Sequence, residues 1–169
     1  VHEMATPECM DVLLQEAEIN GISLDGNPDP TVADVAVQIY IQDKNILERK
    51  HAEQYLNKPR SFEYFQSSES PAPEFKIPSN EVLAALESDL DDWFESKKRG
   101  RGSRVFVYPK SDVVWFLVRH GDPFKREGRL DGNKSTSVFY RPEKYDVLVY
   151  DMALGEIRMN ACGKGEKDT

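Results

Sequence analysis

Two side chains able to do chemistry close the longest apolar run of this sequence. Val113-Val114-Trp115-Phe116-Leu117-Val118 leads into Arg119 and His120, then Gly121 and Asp122. Arginine brings a permanent cation with a planar fork of donors, and histidine brings a group that titrates near neutrality. Lys125, Arg126 and Arg129 follow within ten residues. Arg119, His120, Lys125, Arg126 and Arg129 therefore form a candidate ligand-binding set. Their chemistry suits phosphate groups, whether of nucleic acid or of another anionic ligand, or the carboxylates of an acidic protein. Phe124 and Tyr140 offer stacking surfaces nearby. Lys97-Lys98-Arg99-Gly100-Arg101-Gly102-Ser103-Arg104 is a second basic stretch that can converge on the same edge. It also suits the end of a helix, with lysines complementing the C-terminus and Gly100 as the C′ residue. The chain carries no standard nucleic-acid-binding motif.

Phe116-Leu117-Val118-Arg119-His120-Gly121-Asp122, with Gly128-Arg129-Leu130-Asp131-Gly132 downstream, resembles the opening signature of the histidine phosphatase (phosphoglycerate mutase-like) family. The resemblance implies His120 as a phosphorylated nucleophile, with Arg119 and Arg129 clamping phosphate. It covers fewer than about twenty residues. In that family the motif opens a parallel α/β sheet, and a second histidine comes from the later chain. Here most of the chain precedes the motif, hairpin-like segments follow it, and no histidine lies beyond His120.

A second constellation is nuclease-like. Asp146 or Asp151 on one strand and Glu156-Ile157-Arg158 on the next approximate the paired acids that share a magnesium ion, with arginine where lysine is usual. The aspartates of Asp25-Gly26-Asn27-Pro28-Asp29-Pro30 lack the alternation and closing glutamate of a calcium loop. Cys9 and Cys162 are far apart, and His2, His51 and His120 each stand alone, which argues against structural zinc. No cofactor or metal is expected.

The elements that must position these residues read in two blocks. Met10, Leu13, Leu14 and Ala17 give a short helical face, ended by Asn20-Gly21. A helical stripe runs from about Thr31 to Leu56, with a break near Asp43-Lys44-Asn45, and Pro59 ends it. His51 lies among charges there and is expected to be exposed. Phe62, Tyr64 and Phe65 suggest a short strand, and 67–73 an irregular serine- and proline-rich loop from which the chain packs back onto the core. Ser79 or Asn80 caps an amphipathic helix over about 81–95 whose acidic side, Glu87, Asp89, Asp91 and Asp92, reads as a solvated face. From Arg104 the period changes. Strands are expected at 105–108, 113–118, 136–141, 146–151 and 156–161, with a long glycine-rich basic loop over 121–135. The fold class is α+β: N-terminal helices packed on a C-terminal, mainly antiparallel sheet of about five strands, forming one domain over 1–169.

Charge is divided between the halves. Residues 1–96 carry 20 acidic and 6 basic side chains, and residues 97–169 carry 10 and 16. Such asymmetry fits either a polyanion partner for the basic half or mutual attraction of the halves. No apolar run reaches the length of a membrane span, so no membrane partner is expected. Without a signal-peptide layout, and with two distant cysteines, the chain reads as a cytoplasmic protein with reduced thiols. Beginning at Val1 and ending in polar residues, it reads as a fragment or a processed product. The expected function is a non-catalytic binding or interaction domain that engages a phosphate-bearing or acidic partner through Arg119–Arg129. Phosphoryl transfer at His120 is the alternative.

Overall fold

The structure, a computed structural model, describes residues 1–58, 61–66 and 75–161. Pro59, the 67–73 segment and Cys162 lie outside the described residues. The chain divides into two compact units, Val1–Lys58 and Pro59–Thr169. The first holds three α-helices, α1 (Met10–Ile19), α2 (Val32–Gln42) and α3 (Lys44–Glu53). Helix α1 ends in a Schellman arrangement: Gly21 takes φ 65°, and Ile22 N–H donates to Ala17 O at 2.8 Å. Thr31 and Asp34 cap α2 reciprocally, and Asp43 accepts from Asn45 N–H to start α3. The expected break in the 31–56 stripe is therefore a cap. Met4, Leu13, Ala17, Val35, Ala36, Ile39, Ile46 and Leu47 form the buried core of this unit. Lys50 bridges Glu16 at 2.9 Å and Glu53 at 3.0 Å, fastening α3 to α1. His51 is half-buried against Glu3 and edge-on to Tyr55, rather than exposed.

The second unit contains β1 (Glu63–Gln66), α4 (Asn80–Ser96), β2 (Arg104–Lys110), β3 (Val113–Gly121), β4 (Lys125–Asp131), β5 (Lys134–Tyr140), β6 (Glu143–Asp151) and β7 (Glu156–Asn160). Five strands pair antiparallel in the order β1-β7-β6-β3-β2, and among the described residues β4 pairs only with β5. Strand β6 is central, and β3 lies between it and the edge strand β2. Leu83 and Leu90 of α4 pack with Phe75, Phe116 and Val118 on buried Val105, Val107 and Val114. Phe75 sits edge-on to Phe116 and 5.1 Å from Tyr150, so the chain does return to the core after the 67–73 segment. Leu117, Val147 and Val149 are buried on the other face. Burial on both faces explains why β3 and β6 read as continuous apolar runs instead of alternating ones. No helix among the described residues is long and apolar enough to cross a membrane.

The molecule is α+β, helical first and antiparallel β after, as the sequence predicts. The basic loop over 121–135 is the main departure. Most of it is strand: β4 and β5 form a hairpin closed by a two-residue turn at Gly132-Asn133, with Gly132 at φ 58°. Glycine first in such a turn is the type II′ preference. Lys98, at φ 62°, takes the left-handed position after α4, because Lys98 N–H donates to Glu95 O and Arg99 N–H to Phe94 O. Lys98 is thus the C′ residue in place of Gly100.

Candidate functional site

Strands β3 and β6 and the β4–β5 arm form one long ribbon with a fault in it. Gly121 faces Glu143 at the end of the sheet, and Lys125 faces Tyr140 at the start of the arm. Three residues, 122–124, therefore lie opposite two, 141 and 142. Pro123 and Pro142 fall in this interval, where neither can donate to a ladder. Asp122 N–H donates to Pro142 O at 2.8 Å and keeps the two sides joined. Arg141 fills the gap. Its Nη1 donates to Lys98 O at 2.6 Å and to Asp122 O at 3.3 Å, and its guanidinium lies 4.3 Å from the Phe124 ring centre. Gly100 and Gly121 lack side chains where this arginine passes. A Cβ on Gly121 would strike Arg99 O and come 2.5 Å from Arg141 Cδ, and one on Gly100 would come 2.8 Å from its guanidinium carbon.

Adjacent strand residues point to opposite faces, so Arg119 and His120 diverge. Arg119 is half-buried, with Nε 3.8 Å from Glu143 Oε2. His120 points under α4, and its side chain has no exposed surface. Its ring stacks on Phe94 at 4.2 Å and 11°. Nδ1 lies 2.8 Å from Gly121 O and Nε2 lies 3.1 Å from Asp146 Oδ2. A carbonyl and a carboxylate both accept, so each ring nitrogen is placed to donate. Asp146 is itself buried and borders a cleft of about 290 Å³ between α4 and the sheet, with Asp89, Leu90, Trp93 and Leu148 among its walls. Among the described residues no lysine or arginine lines that cleft.

The remaining expected residues lie on the arm. Every residue of β4, and all of β5 except Ser137, is exposed. Register and contacts define two faces. One carries Lys125, Glu127, Arg129 and Asp131 opposite Tyr140, Val138, Thr136 and Lys134. On it the Tyr140 hydroxyl donates to Glu127 at 2.9 Å, which holds the phenol above its ordinary pKa. Lys125 Nζ lies 3.4 Å from Asp122, while the Arg129 side chain has no partner among the described residues. The other face carries Arg126 over Phe139 at 5.3 Å, then Gly128 and Leu130. Tyr140 and Phe139 point to opposite faces of the arm, and Phe124 lies in the fault beside Arg141, just outside the ladder. The structure thus gathers Lys125, Arg126 and Arg129 on one arm. It does not bring Arg119 or His120 to them.

The 97–104 stretch is engaged by α4. Asp91 Oδ1 accepts from Gly102 N–H at 2.8 Å and Ser103 N–H at 2.7 Å, Glu87 accepts from Val105 N–H at 2.8 Å, and Asp92 pairs with Arg101. Burial pushes the Asp91 carboxyl upward, but the Ser103 and Gly102 amides and the Arg101 charge together hold it below the usual aspartate range. The acidic side of α4 is a dock for the strand that follows it, and only partly a solvated face.

The nuclease-like acids are divided. Asp151 and Glu156 both pair with Arg158, at 2.9 and 2.8 Å, whereas Asp146 faces the other side of the sheet with His120. Among the described residues no group of three or more His, Cys, Asp or Glu side chains could hold a metal ion. Sequence reading overlooked Arg141, the Asp146 partnership and Phe139. Pro142 was a visible signal of a fault beside Arg141, but the His120–Asp146 contact depends on the β3–β6 register. No protein-family model matches the chain, and neither a curated protein nor a solved structure does.

Proposed function

We propose that this chain contains a non-catalytic binding domain that presents the β4–β5 arm to an anionic partner. The observation that carries the reading is the arm itself: two strands outside the main sheet, exposed along their length, with Lys125, Arg126 and Arg129 on β4 and Lys134 on β5. A two-stranded hairpin alone is marginal in water. The Arg141 clamp steadies its base, and a bound partner would supply the missing contacts along its length. The setting of His120 supports the same reading. An enclosed ring, with an acceptor at each nitrogen and an acidic, apolar cleft beside its partner Asp146, is arranged for packing rather than for attack on a phosphate.

Retention on an anionic matrix at low salt, weakened in Arg126→Ala and Arg129→Ala while the fold is preserved, is the expected result. Absence of retention even at low salt would remove the proposal. Hydrolysis of a generic phosphomonoester that disappears in His120→Ala, with unfolding unchanged, would replace it with the phosphoryl-transfer alternative.

A further inference from the structure

The face of the arm that carries Arg126 has a construction that charge alone does not require. Phe124, one residue before the β4–β5 ladder begins, lies against Arg141, two positions before the Arg126–Phe139 pair. Both pairs are in contact, with guanidinium carbons 4.3 and 5.3 Å from the ring centres. Arginine and phenylalanine exchange sides of the ribbon between the two pairs. Each ring is backed by a guanidinium, and the residues that carry them stay largely exposed, Phe124 at 66% and Phe139 at 65%. Beyond them the same face drops to Gly128 and Ser137, and nothing lies within 4 Å of where a Gly128 side chain would begin. The result is two flat aromatic platforms beside an open floor, with cations along the ribbon.

We infer that the anionic partner is single-stranded nucleic acid, an inference that rests on the anion-binding reading above. Unpaired bases stack on Phe124 and Phe139, while Arg126 on the face of Phe139, and Lys125 and Arg129 from the opposite face of the two-stranded ribbon, meet the phosphates. Base faces are available in a single strand and hidden in a duplex. Carboxylates of an acidic protein would use the cations but leave both rings without a planar partner.

The test measures full-chain binding to a labelled single-stranded oligonucleotide by fluorescence anisotropy. Comparison ligands are the duplex, an abasic strand of equal length, inorganic polyphosphate and a polyglutamate peptide. The single strand should bind at least about tenfold more tightly than the abasic strand, with Phe139→Leu weakening it roughly 5- to 100-fold and Phe139→Tyr retaining it. Phe139→Leu should weaken polyphosphate binding far less than single-strand binding, which separates loss of stacking from loss of the arm. Equal affinity for the single strand, the abasic strand and polyphosphate would overturn the inference and leave anion binding standing. Preference for polyglutamate or for duplex would overturn it in favour of those partners. Binding to none of these ligands at low salt would remove both proposals.

Discussion

At the scale of the residue, the junction between sheet and arm depends on groups with little room to vary. Gly121 is needed because Arg99 O and the Arg141 side chain occupy the space of any Cβ. Gly121→Ala should cost about 1–3 kcal/mol or more, read as a lower urea midpoint at unchanged slope. Its glycine was visible in the sequence, but as part of an Arg-His-Gly motif. The packing reason needed Arg141, twenty positions away in the chain. His120 is similar. Its position at the end of an apolar strand was legible, but the side it faces and its partner were not. Asp146→Ala removes the acceptor for Nε2 and should destabilise by about 1–3 kcal/mol at least. Equilibrium unfolding measures this, and a stability within a few tenths of wild type would show that the pair holds nothing together.

At the scale of the element, α4 shows how a correct assignment can miss its consequence. Its capping serine and apolar stripe are legible, as are the acids along the opposite side. That those acids hold the Gly102–Val105 backbone follows from a tight turn at Lys98 that folds the chain back along the helix. Asp91 has a pKa depressed in the folded state. Its contribution is therefore present above the unfolded aspartate value of about 3.9 and is lost as pH falls through the lower folded value. Asp91→Asn should lose about 1–2 kcal/mol at neutral pH, and the gap from wild type should narrow as pH drops below about 4. Urea unfolding at pH 7 and pH 3 checks the sign, and a gap that widens at low pH would contradict it. Strand β4, Lys-Arg-Glu-Gly-Arg-Leu-Asp, was illegible as a strand because neither of its faces is buried. An element with no core face leaves no period in the hydrophobic pattern. The Gly132-Asn133 turn was its only strong local signal.

At the scale of the whole molecule, charge follows the compact units less sharply than the halves of the sequence. Val1–Lys58 has 11 acidic and 4 basic side chains, and Pro59–Thr169 has 19 and 18. Within the second unit α4 and the stretch after it neutralise one another, so attraction between parts of one chain accounts for some of the asymmetry. What remains for a partner is a few arm cations against a chain of net charge −8. With about three phosphates contacted, log affinity for a single strand should fall with log salt at a slope near −2. That is roughly a fifteenfold loss between 50 and 200 mM salt, measurable in the same titrations. A slope near zero would argue against cationic contacts.

The sequence by itself determined the order of the helices, the helix end at Asn20-Gly21, the break near Asp43, a cap at Ser79 or Asn80, and the apolar strands of an α+β fold. These are local properties, set by side-chain period and by backbone groups satisfied within a few residues. Only the tertiary structure decided that His120 is enclosed with Asp146, that Arg141 anchors an arm, and that Arg126 lies over Phe139. Those facts depend on strand register and on a two-against-three fault in a ribbon. Shifting the pairing by a single residue would send each of these side chains to the opposite face.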